Sequence, residues 1–358
     1  MSWVLAFVGF ASLIILHEVG HFVAAKAVGM RVERFALFFP PLLLRKQIGE
    51  TEYAIGALPL GGYVKITGMN PEEDLADDVK ARAYFAQPAW KRIVVIAAGP
   101  AVNIVLAMVM LWGFYAFIGP TELTNRVERV TPDTPAAGVL KSGDRVLAVD
   151  GKRGDFEVIA RAIASHKCAG EPVAGCRAAD PAELLVERGG EQRTISVRPV
   201  YDARAERTLL GFRPGERRVV DGPAEAVGST FDRTRFFAVE TLKLPARVLD
   251  AEDRKEISGV VGSYEVTRQV IIFDFPLVLQ VLALISLSLG LINLLPVLPF
   301  DGGHIALAGL EKLMGRRRSL LVMERTVVIG IVLGAGLFLL GLTNDINRLM
   351  GEGFGPPP

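Results

Sequence analysis

The residues best suited to chemistry form the run His17-Glu18-Val19-Gly20-His21, near the end of an apolar segment that begins at Ser2. In a helix, a spacing of four residues turns the chain by about 400°, so the two imidazoles point the same way about one turn apart. Glu18 projects beside them. Two imidazoles and one carboxylate at this spacing are typical of a zinc site with two metal ligands and a general base. In a soluble helix, the alternative interpretation is a pair of surface histidines.

The apolar surroundings favour the metal interpretation. An ionisable residue in a bilayer-spanning helix costs roughly 2.5–3.5 kcal/mol on insertion scales, so it seldom lacks a partner. Three such residues together, His17, Glu18 and His21, therefore imply a bound metal ion. Because catalytic zinc usually takes three protein ligands, a distant part of the chain must supply the third.

Composition indicates an integral membrane protein. Hydrophobic residues make up 51% of the 358 residues, and the mean hydropathy is +0.36, which is too apolar for a simply soluble chain. About 20 helical residues cross a hydrocarbon core of about 30 Å. Four segments reach this length: Ser2–Ala25, Ile93–Ile118, Pro276–Phe300 and Thr326–Thr343.

Basic residues set the predicted topology. The first span has no basic residue before it and is followed by Lys26 and Arg31, which is unlike a cleavable signal peptide. Lys91 and Arg92 precede the second span, and a basic cluster separates the third from the fourth. Both short loops are therefore predicted to be cytoplasmic, and residues 119–275 extracytoplasmic. The formal net charge of +1 argues against a nucleic-acid partner.

The end of the third span offers the missing ligand. The segment Asn293–His304 contains Pro296 and Pro299, which remove backbone donors and leave carbonyls unpaired at membrane depth. Such backbone is tolerated only inside protein or around a wet cavity. Asp301 follows at once and is the natural third zinc ligand, with a water in the fourth position. His304 is the competing candidate, and the residues themselves do not decide between the two.

The segment after the first span is predicted to form a small sheet near the proposed metal site. An exposed strand edge there could pair with an extended peptide. The alternative is a cytoplasmic hairpin that only caps the helices. Four short strands are predicted, at Val32–Leu37, Leu42–Arg45, Glu52–Ala57 and Gly62–Thr67.

The extracytoplasmic segment contains a soluble module. Its run Pro135–Gly151, with a Gly-Asp turn followed by a strand and an Asp-Gly turn, resembles the core signature of a bacterial PDZ domain. That resemblance implies peptide recognition along a strand edge, whereas the alternative is a β-rich spacer. A helix is predicted at Phe156–Ser165. The only cysteines, Cys168 and Cys176, fall in this segment, where they form either a disulfide or two buried thiols.

Taken together, these motifs closely resemble the site-2 protease family of intramembrane metalloproteases, specifically its RseP-like branch. The resemblance covers nearly the whole chain. It rests on the His17–His21 motif, the intramembrane Gly99–Asn103 segment, the PDZ signature and Asn293–His304, in the family's order. The chain departs from the family in having Phe300 before Asp301 where a leucine is usual, and a single PDZ domain where the best-known Gram-negative members have two.

The resemblance implies a role for each matching residue. His17, His21 and Asp301 would bind one Zn²⁺ and Glu18 would act as the general base. Asn293 would contact substrate, and so would Gly61 and Gly62, which belong to a membrane-reentrant β-hairpin around 56–65.

The resemblance also implies a function: an intramembrane zinc endopeptidase of the bacterial inner membrane, with its active site towards the cytoplasmic side. It would cleave transmembrane segments of single-span regulatory proteins such as anti-sigma factors. Two other hypotheses are a proteolytically silent PDZ scaffold, which an intact Glu18 disfavours, and a metal transporter, disfavoured because no second gate is evident.

The predicted fold class is a membrane α-helical bundle of about four spans with a membrane-associated β-hairpin region and one extracytoplasmic α+β PDZ domain. The lipid bilayer, peptide segments at the PDZ domain and membrane-protein substrates are the predicted partners. The predicted boundaries are 1–26 for the first span, 27–92 for the β region, 93–118 for the second span, 119–215 for the PDZ domain, 216–274 for an amphipathic helical linker, 275–304 for the third span, 305–325 for a loop, 326–347 for the fourth span and 348–358 for the tail.

Overall fold

A computed structural model describes residues 1–70, 73–203, 205–243, 247–248, 250 and 253–351. Most of the predicted tail, residues 352–358, lies outside these described residues. The chain divides into two compact units. We call residues 1–118 with 221–358 the membrane unit, and residues 119–220 the insert unit.

Strands fall between residues 32 and 218, and helices follow to the end of the described chain. The helices are α1 (Ser2–Ala27), α2 (Asp77–Lys80), α3 (Ala89–Phe117), α4 (Phe156–Ala164), α5 (Glu225–Leu242), α6 (Asp253–Glu256), α7 (Val260–Phe273), α8 (Val278–Asn293), α9 (Asp301–Met314) and α10 (Arg316–Met350), with 3₁₀ turns at Tyr84–Ala86 and Phe275–Leu277. The strands are β1 (Val32–Ile48), β2 (Thr51–Ile66), β3 (Thr121–Val130), β4 (Arg145–Val149), β5 (Lys152–Arg153), β6 (Ala182–Arg188), β7 (Glu191–Val197), β8 (Val200–Asp202), β9 (Arg207–Leu209) and β10 (Phe212–Arg218).

Four helical segments of the described chain are long and apolar enough to cross a membrane: Ser2–Ala27, Ala89–Phe117, Phe275–Asn293 and Thr326–Met350. The third is shorter than predicted and ends at Asn293, because the two prolines that follow cannot donate to a continuing helix. The predicted loop at 305–325 is instead occupied by α9 and the start of α10, separated at Gly315. The charged residues there gave a loop-like pattern, although Glu, Lys, Arg and Leu are all good helix formers.

The four predicted strands correspond to four paired segments, two in β1 and two in β2. We call β1 with β2 the hairpin. Residues 32–37 pair with 62–66 on one side, and residues 34–37 of this segment also pair with 52–55 on the other; residues 42–48 pair with 51–56. Pro40 and Pro41 lie within β1 between its two paired segments, where the predicted strand break falls.

The membrane unit has a core that joins four parts of the chain. Ile305 of α9 packs against a buried cluster drawn from α1, the hairpin ends, the Tyr84 turn and α3. Its members are Ala25, Met30, Val32, Ile66, Tyr84, Val95 and Ile96. Helices α1, α3 and α9 therefore share one apolar cluster.

The insert unit contains a six-stranded antiparallel sheet, a two-stranded sheet of β8 and β9, and helix α4. The strands of the larger sheet follow the order β10-β3-β4-β6-β7, with β5 beside β4. Helix α4 contributes Ile159 and Ile163 to the unit's own core, and Asp155 caps it by accepting from the backbone N–H of Val158 at 3.0 Å. The unit ends later than the predicted 215, because β10 continues to Arg218 and pairs there with Thr121.

Candidate metal centre

Helix α1 places both histidines as the spacing predicts. Their Nε2 atoms lie 3.2 Å apart, and each residue is 7% exposed. α1 is long and apolar enough to cross a membrane, and both histidines lie in its C-terminal half. Glu18 follows His17 and is only partly exposed.

Asp301 completes a group of three. It is the first residue of α9, and its Oδ2 lies 3.2 Å from His17 Nε2 and 3.3 Å from His21 Nε2. Among the described residues, His17, His21 and Asp301 form the metal-binding group whose ligand atoms all lie within 4.8 Å of one another. His304, the competing candidate for the third ligand, is not a member of it.

The geometry of this triad fits zinc. Three ligands of a tetrahedral Zn²⁺, at about 2.0–2.1 Å from the metal, are separated by about 3.3 Å. The three atoms here are separated by 3.2, 3.2 and 3.3 Å. In addition, Asp301 Oδ2 is buried with no hydrogen-bond partner. A buried carboxylate oxygen without a donor is costly unless a cation satisfies it.

Helix α3 orients one imidazole. His21 Nδ1 donates to the backbone carbonyl of Val95 at 2.9 Å, which leaves the lone pair of Nε2 facing the other two ligands. Gly99 lies against the same ring: a Cβ there would stand 2.3 Å from His21 Nε2. An acceptor on the ring nitrogen that does not face the metal fixes the tautomer and orientation of a metal-binding histidine. Neither contact was predicted; the intramembrane Gly99-Pro100 pair was the available signal.

The hairpin reaches Glu18, the predicted general base. A Cβ at Gly62 would lie 2.9 Å from Glu18 Cγ, and the Val64 backbone also lies within reach of the Glu18 carboxylate. The neighbouring Gly61 packs against the ring of Phe39. Strand β2 therefore runs directly past Glu18, and Gly62 leaves the room for this contact.

The other predicted residues lie elsewhere. Asn293, at the end of α8, donates from its side-chain amide to the Leu289 carbonyl of its own helix at 2.9 Å. In the insert unit, Cys168 and Cys176 form a disulfide with a Cα–Cα distance of 5.9 Å. Neither belongs to the metal-binding triad.

Comparison with known proteins supports the same chemistry. The sequence model of peptidase family M50 matches residues 5–337. Zinc metalloprotease Rip1 of Mycolicibacterium smegmatis is 30% identical, with 92% of this chain and 93% of that protein covered. A Nostoc protein named as a zinc metalloprotease is 31% identical, with 95% of each chain covered.

A third relative, from Clostridium perfringens and also named as a zinc metalloprotease, is 30% identical, with 97% of this chain and 98% of the relative covered. Among solved structures, the PDZ domain of an SdrC-like protein from Listeria innocua aligns with 25% of this chain and 92% of its own length. Its sequence identity is 21% and its TM-score is 0.21.

Proposed function

This chain belongs to peptidase family M50, the site-2 protease family, and is a multi-pass membrane zinc metalloprotease. From this premise, we propose that it is an intramembrane endopeptidase that cleaves transmembrane segments of single-span regulatory proteins, such as anti-sigma factors. The observation that carries the proposal is the triad itself, because two of its members lie on a membrane-length helix. A metal site at that depth acts on peptide bonds that are themselves within the bilayer.

In this proposal, His17, His21 and Asp301 hold one zinc ion. When bound, zinc would supply Lewis-acid polarisation of a carbonyl oxygen and would lower the pKa of a water at the open position. The orientation of His21 by Val95 and the uncompensated Oδ2 of Asp301 support this ligand set.

Glu18 acts as the general base. It accepts a proton from the attacking water and delivers it to the leaving amine, a role that requires a carboxylate beside the ligands but outside the set. Glu18 meets that requirement, because it lies between His17 and His21 in sequence and is not a member of the triad.

The substrate segment must unwind, since a helix keeps its peptide groups hydrogen-bonded internally. We propose that the extended backbone is received beside β2, where Gly61 and Gly62 adjoin Glu18, and that Asn293 contacts it. Residues 62–66 of β2 pair with 32–37 along one edge and with no other described segment, so strand addition along their other edge is a natural mode of binding.

We further propose that the protein lies in the bacterial inner membrane, with the metal site towards the cytoplasm and the insert unit outside. Lys26, Lys91 and the basic cluster near the start of α10 support this orientation under the positive-inside rule. Labelling of single-cysteine variants with an impermeant reagent in intact cells tests it. Labelling of Lys312→Cys together with protection of an exposed insert position would invert the topology.

We propose that the insert unit is a PDZ module that selects substrates. β10 stands at one end of the sheet order, so its outer edge is available for a peptide strand.

The insert unit would select substrates in one of two ways. It either captures an exposed peptide end or excludes substrates that retain a large outer domain. We favour exclusion because it needs no particular peptide sequence. Replacing 119–220 by a short linker should then permit cleavage of untrimmed substrates, whereas under capture it should abolish cleavage of trimmed ones.

The test of the enzyme is cleavage of a panel of single-span substrates by purified protein, with and without a chelator. Glu18→Gln should keep the metal and lose cleavage. Near wild-type cleavage by this variant would contradict the general-base assignment, and failure to cut any transmembrane segment while cutting soluble peptides would contradict the intramembrane substrate class.

A further inference from the structure

Far from the triad along α9, Glu311 forms an ion pair with Arg92 of α3. Arg92 Nη1 donates to Glu311 Oε2 at 2.7 Å, and the two side chains are 5% and 19% exposed. The guanidinium also lies 5.9 Å from the ring centre of Tyr84 and 5.7 Å from that of Phe85. A charge pair this deeply enclosed is expensive to bury, so its geometry is held by the surrounding structure.

Arg92 belongs to the face of α3 that holds His21. Val95, whose carbonyl accepts from His21, follows Arg92 by three residues, and Gly99, which leaves room for the ring, follows by seven. Residues at these spacings lie on one side of a helix. The same side of α3 therefore contacts α1 through His21 and α9 through Glu311.

The position of Asp301 depends on how α9 is held. Asp301 is the first residue of that helix, and Phe300, its N-cap, makes no side-chain capping bond. The chain before it, from Leu294 to Phe300, is not helical. Glu311 lies ten residues further on, about 15 Å along the axis. A charge pair at that end, together with the Ile305 contact, resists rotation and sliding of α9 against α3.

We propose that Arg92 and Glu311 are positioning residues of the metal centre, which fix α9 on α3 so that Asp301 meets the two histidines. The inference rests on the proposed ligand set. Helix α3 then positions two parts of the zinc site. The Val95 carbonyl orients the imidazole of His21, and Arg92 holds the helix that carries Asp301.

The test measures zinc binding by purified full-length protein in detergent, through competition with a chromophoric chelator. Glu311→Gln keeps the shape of the side chain and removes its charge, and it should weaken zinc binding by about tenfold, within the range for residues that act on a site without touching its ligand. Helix content and thermal unfolding are recorded alongside. The matched control is Glu265→Gln, which removes a partly buried ion pair with Arg268 within α7 and should leave zinc affinity unchanged.

Charge reversal supplies the second arm. Arg92→Glu and Glu311→Arg should each weaken zinc binding, and the double variant should recover affinity to within about threefold of the wild type. Wild-type affinity in Glu311→Gln, an equal loss in Glu265→Gln, or a folded double variant without recovery would overturn the proposal. Asp301→Ala distinguishes failure of the ligand set from failure of the positioning role. If this variant retains zinc, the proposed ligand set is wrong. If it loses zinc while Glu311→Gln does not, only the positioning role of Arg92 and Glu311 fails.

Discussion

Two aspartates with buried carboxylate oxygens, one in each unit, differ in how those oxygens are satisfied. In the insert unit, Asp144 accepts from Arg188 Nε at 2.7 Å and Nη2 at 2.6 Å, and from the backbone N–H of Lys141 at 2.7 Å. In the membrane unit, Asp301 Oδ2 has no hydrogen-bond donor and faces two imidazole nitrogens.

We interpret the difference as that between a structural carboxylate and the proposed metal ligand. Asp144 is satisfied entirely by its own chain, so its role is complete in the folded unit. Oδ2 of Asp301 is buried without such compensation, which a folded protein tolerates when a cation is to be bound. Burial of an acid is thus weak evidence of a site, whereas burial without a donor beside other ligands is strong evidence.

The largest effect expected is loss of the metal on removing the unsatisfied carboxylate. Metal analysis of detergent-purified wild-type protein should show about one zinc per chain, and Asp301→Ala should lose most of it because two histidines leave the ion short of a ligand. Asp144→Ala, the matched removal of a satisfied aspartate, should retain it. Retention of zinc by Asp301→Ala together with its loss in His304→Ala would assign the third ligand to His304.

A smaller loss should follow from crowding one of the imidazoles. Gly99→Ala places a Cβ 2.3 Å from His21 Nε2, so the ring must move and zinc affinity should fall by about tenfold or more. Gly113→Ala on the same helix is the control, because its Cβ would meet only Leu279 at 3.8 Å. Equal zinc affinities for the two variants, measured by chelator competition, would show that the ring tolerates displacement.

The satisfied aspartate should act on stability and leave metal binding unchanged. Asp144→Asn removes the charge from hydrogen bonds to Arg188 and should lower the free energy of unfolding of the insert unit by about 2 kcal/mol. Hydrogen–deuterium exchange across 119–220 in the full-length protein measures this change. Faster exchange confined to that segment is the expected result, and unchanged protection there would contradict the structural role.

The smallest predicted effect is a dependence of the insert unit's stability on pH. Hydrogen bonding to Arg188 holds the pKa of Asp144 below its usual value of 3.8. Since the unfolded state then binds the proton more readily, the stability that ionised Asp144 gives the insert unit is present above about pH 4. It is lost as pH falls through the folded pKa. Protection of the insert unit from exchange should therefore drop on acidification below pH 4, and less steeply in Asp144→Asn than in the wild type.

Sequence reasoning located what depends on local spacing. The two histidines are four residues apart, so a helix brings them together without help from the rest of the chain. Asp301 was named because prolines precede it in an apolar segment, which signals irregular backbone at membrane depth. The apolar helices were also predictable, because length and composition are local properties of the sequence.

What sequence reasoning missed depends on pairing across long distances. The contact between His21 and Val95 joins residues 74 apart, and the pair of Arg92 with Glu311 joins residues 219 apart. No local pattern encodes such partners. The four short strands of the hairpin were predicted from local residue types, but their order in the sheet was not, because residues 34–37 pair with both 62–65 and 52–55.

The termini of the insert unit have an evolutionary consequence. Thr121 and Arg218 are paired neighbours in the sheet, so the chain enters and leaves the unit side by side. Just beyond, the backbone N–H of Asp221 donates to the Tyr115 carbonyl at 3.1 Å, which closes the junction within the membrane unit. A coding segment for 119–220 can therefore be gained, lost or exchanged as a cassette by recombination, with one short splice to repair. A protease built in this way can change its insert unit without altering a residue of the proposed metal centre.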